Sequence, residues 1–321
     1  MRNERGAALL TVILMTGTLA VLAVAMTEIL TVALARAGAS EARDQAYWAM
    51  HGLEDAALGY LRDQGEVLDS PTGVLFGQPV VIPFEGGAAT LTFTDRSNCF
   101  NINDLLQEAD GELTPDEGAA ERFAGLVREL GAGQTAGQQL AARIADFADT
   151  NDQPQAGSVD DFDYQRREVP YRSARVLLAS VTELRAIAGF SPDVYRALLP
   201  HLCALPTDGT GTLNVNTLSI EDAPLLAAAM GEAVTLRAAE SLITERPPTG
   251  YEDVQAFLDQ PLLAGREVPQ DLSTMISAAP TVIGLEIVLE NQTGRLRQTS
   301  EIYREGEGFR VIERRRGERL P

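Results

Sequence analysis

The densest run of side chains able to do chemistry is ADFADTNDQPQAGSVDDFDYQ. It places Asp146, Asp149, Asn151, Asp152, Asp160, Asp161 and Asp163 within eighteen residues, with Pro154 and Gly157 to bend the chain between them. Hard cations such as calcium take roughly six to eight oxygens from carboxylates, amides and carbonyls on a flexible loop, whereas magnesium demands tighter octahedral geometry. The spacing is not that of an EF-hand, because no glutamate follows at the twelfth position with glycine at the sixth. A solvated acidic loop is the alternative, and the residues alone leave the two open. With only His51 and His201 in the chain, a histidine-based zinc site and a Ser/His/Asp triad have little to draw on. A membrane-anchored enzyme would need a nucleophile with its base or a metal with an open position, and no such constellation is found, so no catalysis is expected.

The 321 residues carry a net charge of −20. Phosphate binding needs clustered Lys and Arg, so this balance argues against nucleic acid. The few basic residues gather late, in ERRRGER (Glu313–Arg319), which reads as a solvated end. The two cysteines, Cys99 and Cys203, form an even pair. In an oxidising compartment such a pair is a disulfide candidate, set against two buried free thiols. A bridge over so long a loop would contribute roughly 3–5 kcal/mol in the chain-entropy treatment.

These groups must be held by elements. From Ala7 to Thr27 no charged residue occurs, with Arg2 and Arg5 just before and Glu28 just after. About twenty apolar residues suffice to span a bilayer as a helix, and the flanking arginines place the N-terminus in the cytoplasm and the rest outside. The run is longer than the apolar core of a cleaved secretory signal. Beyond it, Ala46, Met50, Leu53, Ala57 and Tyr60 recur at helical spacing, and no proline interrupts the path from Ala7 to Asp63. One helix roughly 85 Å long is expected, lipid-facing first and amphipathic second. Strand signals follow in VLFGQPVVIPF and ATLTFTD, separated by a turn at Glu85–Gly87. They return in TVIGLEIVLENQTGRLRQTSEIYREGEGFRVIER, read as three strands with turns at Asn291–Gly294 and Glu305–Gly308. Between the two strand blocks the chain reads as helix and loop. Thr-Pro-Asp at 114–116 marks a helix start, with Thr114 as cap. SVTELRAIAGFSPDVYRALLPHL is two short helices, the second capped at Ser191-Pro192-Asp193, and a later stretch is broken at Gly231 and Pro247–Gly250. These pieces resemble helix-hairpin-helix or SAM-like units, but the acids beside their turns have the wrong sign for DNA phosphate.

Arg5-Gly6 followed at once by Ala7-Ala8-Leu9-Leu10 is similar to the type IV prepilin signal, which implies cleavage between Gly6 and Ala7 by a prepilin peptidase, retention of the helix and methylation of the new N-terminus. Most prepilins carry a glutamate at the fifth mature position, and here Thr11 stands there. A carboxylate in lipid is costly unless paired, so a subunit without one can sit where no neighbour lies above it. Further segments echo one family: CFNIND (Cys99–Asp104), DFADTNDQP with VDDFDY, PYRSARVLLASVTELRAIAGF, the ALP before LNVNT (Leu213–Thr217), and the C-terminal strands. Together they resemble the type II secretion minor pseudopilin K family over most of the chain.

The resemblance implies an α+β fold, with a long pilin-like N-terminal helix packed on a small antiparallel sheet and a large inserted all-α domain, SAM-like or helix-hairpin-helix-like. The expected organisation is a leader at 1–6, a transmembrane segment at 7–35, pseudopilin helix and first strands at 36–103, an insert at 104–278 in two units (about 104–205 and 213–278), and C-terminal strands at 279–321. It also implies a role: capping or initiating a periplasmic pseudopilus with minor pseudopilins I and J, anchored once in the inner membrane. The alternative is a minor pilin of a type IV pilus. Calcium in the helical domain is implied too. Asp149 and Asn151 match the family's Asp-x-Asp pattern and Asp160-Asp161 its Glu-Asp pair, with Asp152 beside them.

Overall fold

The computed structural model describes residues 4–68, 75–84, 87–151, 153–159, 161–205, 213–291, 294–306 and 308–317. The hairpin turn expected at Glu85–Gly87 and those at Asn291–Gly294 and Glu305–Gly308 fall partly outside these residues. The chain opens with α1 (Glu4–Asp63), a helix of 60 residues. Its apolar side chains from Leu9 to Leu34 are exposed. The threonines in this stretch turn their hydroxyls inward: Thr16, Thr27 and Thr31 donate to carbonyls four residues back and Thr18 to one three back. In hydrocarbon a hydroxyl must find its partner within the protein, and these do so on their own helix.

The second half of α1 packs on the sheet through Ala46, Met50, Ala57 and Leu61. The apolar stripe ends on Leu61 rather than on Tyr60, which is 41 % exposed and stacks at its edge on Phe93, 6.0 Å between ring centres. A short α2 (Gly65–Leu68) follows. The strands in chain order are β1 (Pro79–Phe84), β2 (Gly87–Asp95), β3 (Phe100–Asn101), β4 (Leu106–Ala109), β5 (Glu112–Pro115), β6 (Leu202–Cys203), β7 (Leu213–Asn214), β8 (Ile276–Ser277), β9 (Val282–Asn291), β10 (Gly294–Glu305) and β11 (Gly308–Arg316). Five of them form one antiparallel sheet, ordered β1-β2-β9-β10-β11. The first strand begins later than the sequence pattern suggests. Gly77, at φ 76°, bends the chain there and donates its amide to the Phe93 carbonyl, so pairing starts at Pro79.

Among the described residues, one charge lies within the helix-to-sheet core. Glu54 of α1 is fully buried. It accepts hydrogen bonds from Ser300 Oγ and from Gln298 Nε2 (3.4 Å) on β10, and from Arg314 Nε (2.6 Å) on β11. His51 Nδ1 lies 3.8 Å away, and Arg316 stacks over Tyr47 one turn earlier. A buried carboxylate is tolerable only when paired and hydrogen-bonded, so this cluster fixes the rotation of α1 against β10 and β11.

The chain leaves this sheet at the end of β2 and re-enters on the adjacent strand β9, with Asp95 opposite Ile283. Ser97, fully buried, closes the neck: its Oγ accepts from the amides of Thr281 (2.9 Å) and Val282 (3.1 Å). Everything between is the insert. Its helices are α3 (Glu117–Glu129), α4 (Gln134–Ala148), α5 (Asp161–Gln165), α6 (Pro192–Leu198), α7 (Ala223–Met230), α8 (Leu236–Thr244), α9 (Val254–Leu258) and α10 (Leu272–Met275). One hydrophobic core runs through it, from Ile102 and Phe123 to Leu226 and Leu242. Gly137 is where α4 crosses α3; a Cβ there would stand 2.6 Å from Ala124 Cα. The start of α3 differs from its sequence reading. Thr114 and Pro115 belong to β5, paired with β4, and the cap is Asp116, which accepts from the Ala119 amide at 2.6 Å.

The insert closes twice in the same way. β3 pairs in parallel with β6, and β7 pairs in parallel with β8. After each first strand comes an asparagine whose carboxamide joins two distant segments. Asn103 donates to the Leu178 and Leu205 carbonyls (2.9 and 2.7 Å) and accepts from the Leu178 amide (2.8 Å). Asn216 donates to the Tyr251 and Ala278 carbonyls (2.8 and 2.9 Å) and accepts from the Tyr251 amide (2.7 Å). Asn101 and Asn214, two residues earlier, turn the backbone by accepting from the amides of Asn103 and Asn216.

Two outcomes are expected. Glu54→Ala removes the acceptor for two buried donors and leaves a void, so it lowers the unfolding free energy by about 2–4 kcal/mol. Asn103→Ala and Asn216→Ala each strand buried backbone groups and cost about 2–4 kcal/mol as well. Urea unfolding followed by far-ultraviolet circular dichroism reads all three, and losses below about 0.5 kcal/mol would contradict the roles given to these side chains.

Candidate functional site

The residues singled out for processing and anchoring lie on α1. Gly6 and Ala7 fall in its first turns and Thr11 one turn later. From Leu9 onward the helix is apolar and long enough to cross a membrane, with a mean hydropathy of 2.4 in its best window and nothing in the protein covering that window. Such a surface requires lipid or other apolar helices around it.

Cys99 and Cys203 are bonded to one another, with their Cα atoms 5.7 Å apart. They sit at the mouth of the insert. Cys203 is the last residue of β6, opposite Asn101, and Asn101 Oδ1 accepts from the Leu205 amide at 2.9 Å just beyond. The bridge, the parallel pair and the asparagines thus tie the exit and return of the first helical stretch at one point. The second stretch is tied to the sheet by Asp95, which accepts from Asn214 Nδ2 (2.7 Å) and Thr217 Oγ1 (2.6 Å).

The acidic segment folds around a cavity of about 230 Å³. The end of α4 supplies Asp146 and Asp149, the following loop Asn151, and the start of α5 Asp161; all four line it, together with Ser173 and Arg175. Thr150 pins the loop to β5 by exchanging hydrogen bonds with the Leu113 backbone. Asp149 is 2 % exposed and accepts from Asn151 Nδ2 at 2.8 Å. Asp146 accepts from the Gln155 amide and side chain (2.7 and 2.8 Å). Asp161 accepts from the Ser173 amide and hydroxyl and from Gln165. The Ser173 amide, its strongest partner, holds the Asp161 carboxyl below its ordinary pKa. Asp163 is exposed and lies off the cavity, while Asp152 and Asp160 lie outside the described residues. Among the described residues no group of three His, Cys, Asp or Glu is arranged to hold a metal as it stands. The donors that converge are oxygens on a loop that ends one helix and begins another. That chemistry fits a hard cation and excludes a thiolate or imidazole site.

Sequence reasoning gave Glu54 no role, and gave the asparagines of CFNIND and LNVNT only a general one, satisfying the backbone of a turn. The repeated Asn-apolar-Asn in these two segments is the signal that points to Asn103 and Asn216; Glu54 has none beyond being acidic amid the apolar stripe.

Comparison with known proteins bears on the whole arrangement. Two family profiles, both described as type II secretion system protein K, match residues 98–207 and 213–279. A type II secretion system protein K from Pectobacterium carotovorum subsp. carotovorum is 33 % identical over 266 residues, covering 81 % of this chain and 81 % of the relative. That from Klebsiella pneumoniae is 32 % identical over 321 residues, covering 98 % and 97 %. Among solved structures, a chain from the crystal structure of the GspK-GspI-GspJ complex of the enterotoxigenic Escherichia coli type 2 secretion system superposes with a TM-score of 0.66 at 25 % identity, covering 87 % of this chain and all of that one. These likenesses favour a secretion pseudopilin over a minor pilin of a type IV pilus, and the chain belongs to the type II secretion system protein K family, whose members are minor pseudopilins.

Proposed function

We propose that this chain is the tip subunit of the pseudopilus, a structural part that starts or caps the filament and carries out no catalysis itself. Prepilin peptidase cuts between Gly6 and Ala7, Ala7 becomes the methylated N-terminus, residues 7–35 stay in the inner membrane, and the rest lies in the periplasm. Minor pseudopilins I and J are its partners at the tip. The observation that carries this reading is the insert: a second core much larger than the pilin-like one, planted between neighbouring strands of the sheet. A body of that size hinders another subunit from stacking above. Thr11 supports the same place, since a helix without the usual buried carboxylate has no charge for an upper neighbour to satisfy.

The acidic cavity serves as a structural calcium site in this proposal. Asp149, Asn151 and Asp161 line it in part, with Asp152 and Asp160 adjacent in sequence. A calcium ion there would replace several side-chain hydrogen bonds by one centre and stiffen the joint between α4 and α5.

Two measurements test these readings. Co-expression of the full chain with prepilin peptidase and partners I and J, followed by purification in detergent and N-terminal sequencing, is expected to give a stable complex whose chain begins at N-methylated Ala7. A chain that still begins at Met1, or is cut beyond the apolar run, contradicts the reading. For the cavity, removing calcium with EGTA is expected to lower the thermal midpoint by about 5 °C or more in the parent and by little in Asp149→Ala. Equal midpoints with and without calcium in the parent would reject the site.

A further inference from the structure

A second cavity, of about 210 Å³, opens on the insert beside the disulfide and has no part in the roles above. The apolar part of its wall is Leu106, Leu126, Leu213, Leu225 and Ala229, all buried, with Met275 half-buried beside them. A dry cavity of roughly 150 Å³ already holds a benzene ring, so this one admits an aromatic or branched aliphatic side chain. The rim is acidic. Asp104, Glu108, Asp116 and Asp271 face one guanidinium, Arg122, which is paired with Asp271 at 2.8 Å. Asp104 and Asp116 accept hydrogen bonds from Asn101 and the Ala119 amide, which orients them. An anionic apolar molecule, such as a fatty acid, meets repulsion at this rim, and a neutral one gains nothing from it. A group that is apolar and carries a cation beside it is attracted.

The strand beside the cavity adds a backbone component. Leu106, Gln107 and Glu108 are consecutive residues of β4 and all line it. β4 pairs with β5 on one flank and, among the described residues, with no strand on the other. A free strand flank next to a side-chain pocket is the arrangement by which proteins add an extended peptide to a sheet.

We infer that this cavity docks an extended segment of a partner protein, placing a Phe- or Leu-sized side chain in the apolar hollow, an adjacent Arg or Lys on the acidic rim, and backbone along β4. The inference stands apart from the tip reading, because it needs only the insert and its surface.

The test uses the full chain in detergent micelles and a fluorescein-labelled peptide, acetyl-Thr-Val-Phe-Arg-Val. Saturable binding is expected in fluorescence anisotropy, lost when the peptide's Phe becomes Ala or its Arg becomes Glu. Glu108→Lys, at an exposed position, is expected to weaken binding by at least about fivefold with an unchanged thermal midpoint. Ala229→Leu, which takes up space in the hollow, is expected to weaken it further; if that variant folds poorly, Glu108→Lys and the peptide controls still decide. No saturable binding up to about 1 mM overturns the inference. So does equal binding of the Phe→Ala peptide, which would reduce the effect to charge alone, or of the Arg→Glu peptide, which would remove the rim from it.

Discussion

The structure depends on the pairing of β2 with β9. These strands are far apart in sequence and adjacent in the sheet, so the long chain between them must leave and return at one point. Ser97 and the Arg96 amide, bonded to Val282 and Thr281, are the physical form of that requirement. Because the two ends meet, the insert can grow without disturbing the registry of the sheet, and α1 keeps its apolar contact with β2 and β9. The cost is a loop-closure entropy that rises only slowly with length. The remainder is met by the insert's own core and by the bridge between Cys99 and Cys203.

Three buried polar side chains specify the arrangement more than they add to its stability. Apolar contacts between α1 and the sheet would tolerate small rotations of the helix. Glu54 permits one, since its carboxylate must reach Ser300, Gln298 and Arg314 together. Asn103 and Asn216 do the same for the two closures of the insert. Each carboxamide mimics a peptide group and so completes a backbone ladder where three segments meet and no strand is available. That both closures use the same residue in the same way suggests one structural solution applied twice in the chain.

Much of this was legible in the sequence, and what was not has a common cause. The long helix, the five strands of the sheet and the helical character of the insert follow from local periodicity, which the chain displays openly. The acidic cluster was visible because most of its members lie within one loop. What could not be read was the partner of a residue whose partner is far away. Glu54 looks like any polar residue on an amphipathic helix until Arg314 arrives from 260 positions later. Thr-Pro-Asp reads as a helix start at Thr114, but pairing of β5 with β4 claims Thr114 and Pro115 and moves the cap to Asp116. Tyr60 continues the helical stripe in sequence, yet it sits at the edge of the contact against Phe93, and Leu61 takes the buried place. In each case a tertiary contact outweighed a local preference.

The proposed function joins an anchor with Thr11, not a carboxylate, early in its apolar run to a body whose size would hinder further stacking. In the function proposed above, both features place the chain at one end of a filament, in a single copy. The most direct measurement is to label the full chain on the insert, by a gold-conjugated tag at the exposed Asp110–Gly111 turn between β4 and β5, and to image isolated pseudopili by electron microscopy. The account predicts one gold particle per filament, always at an end. Labels spaced along the filament shaft would contradict it.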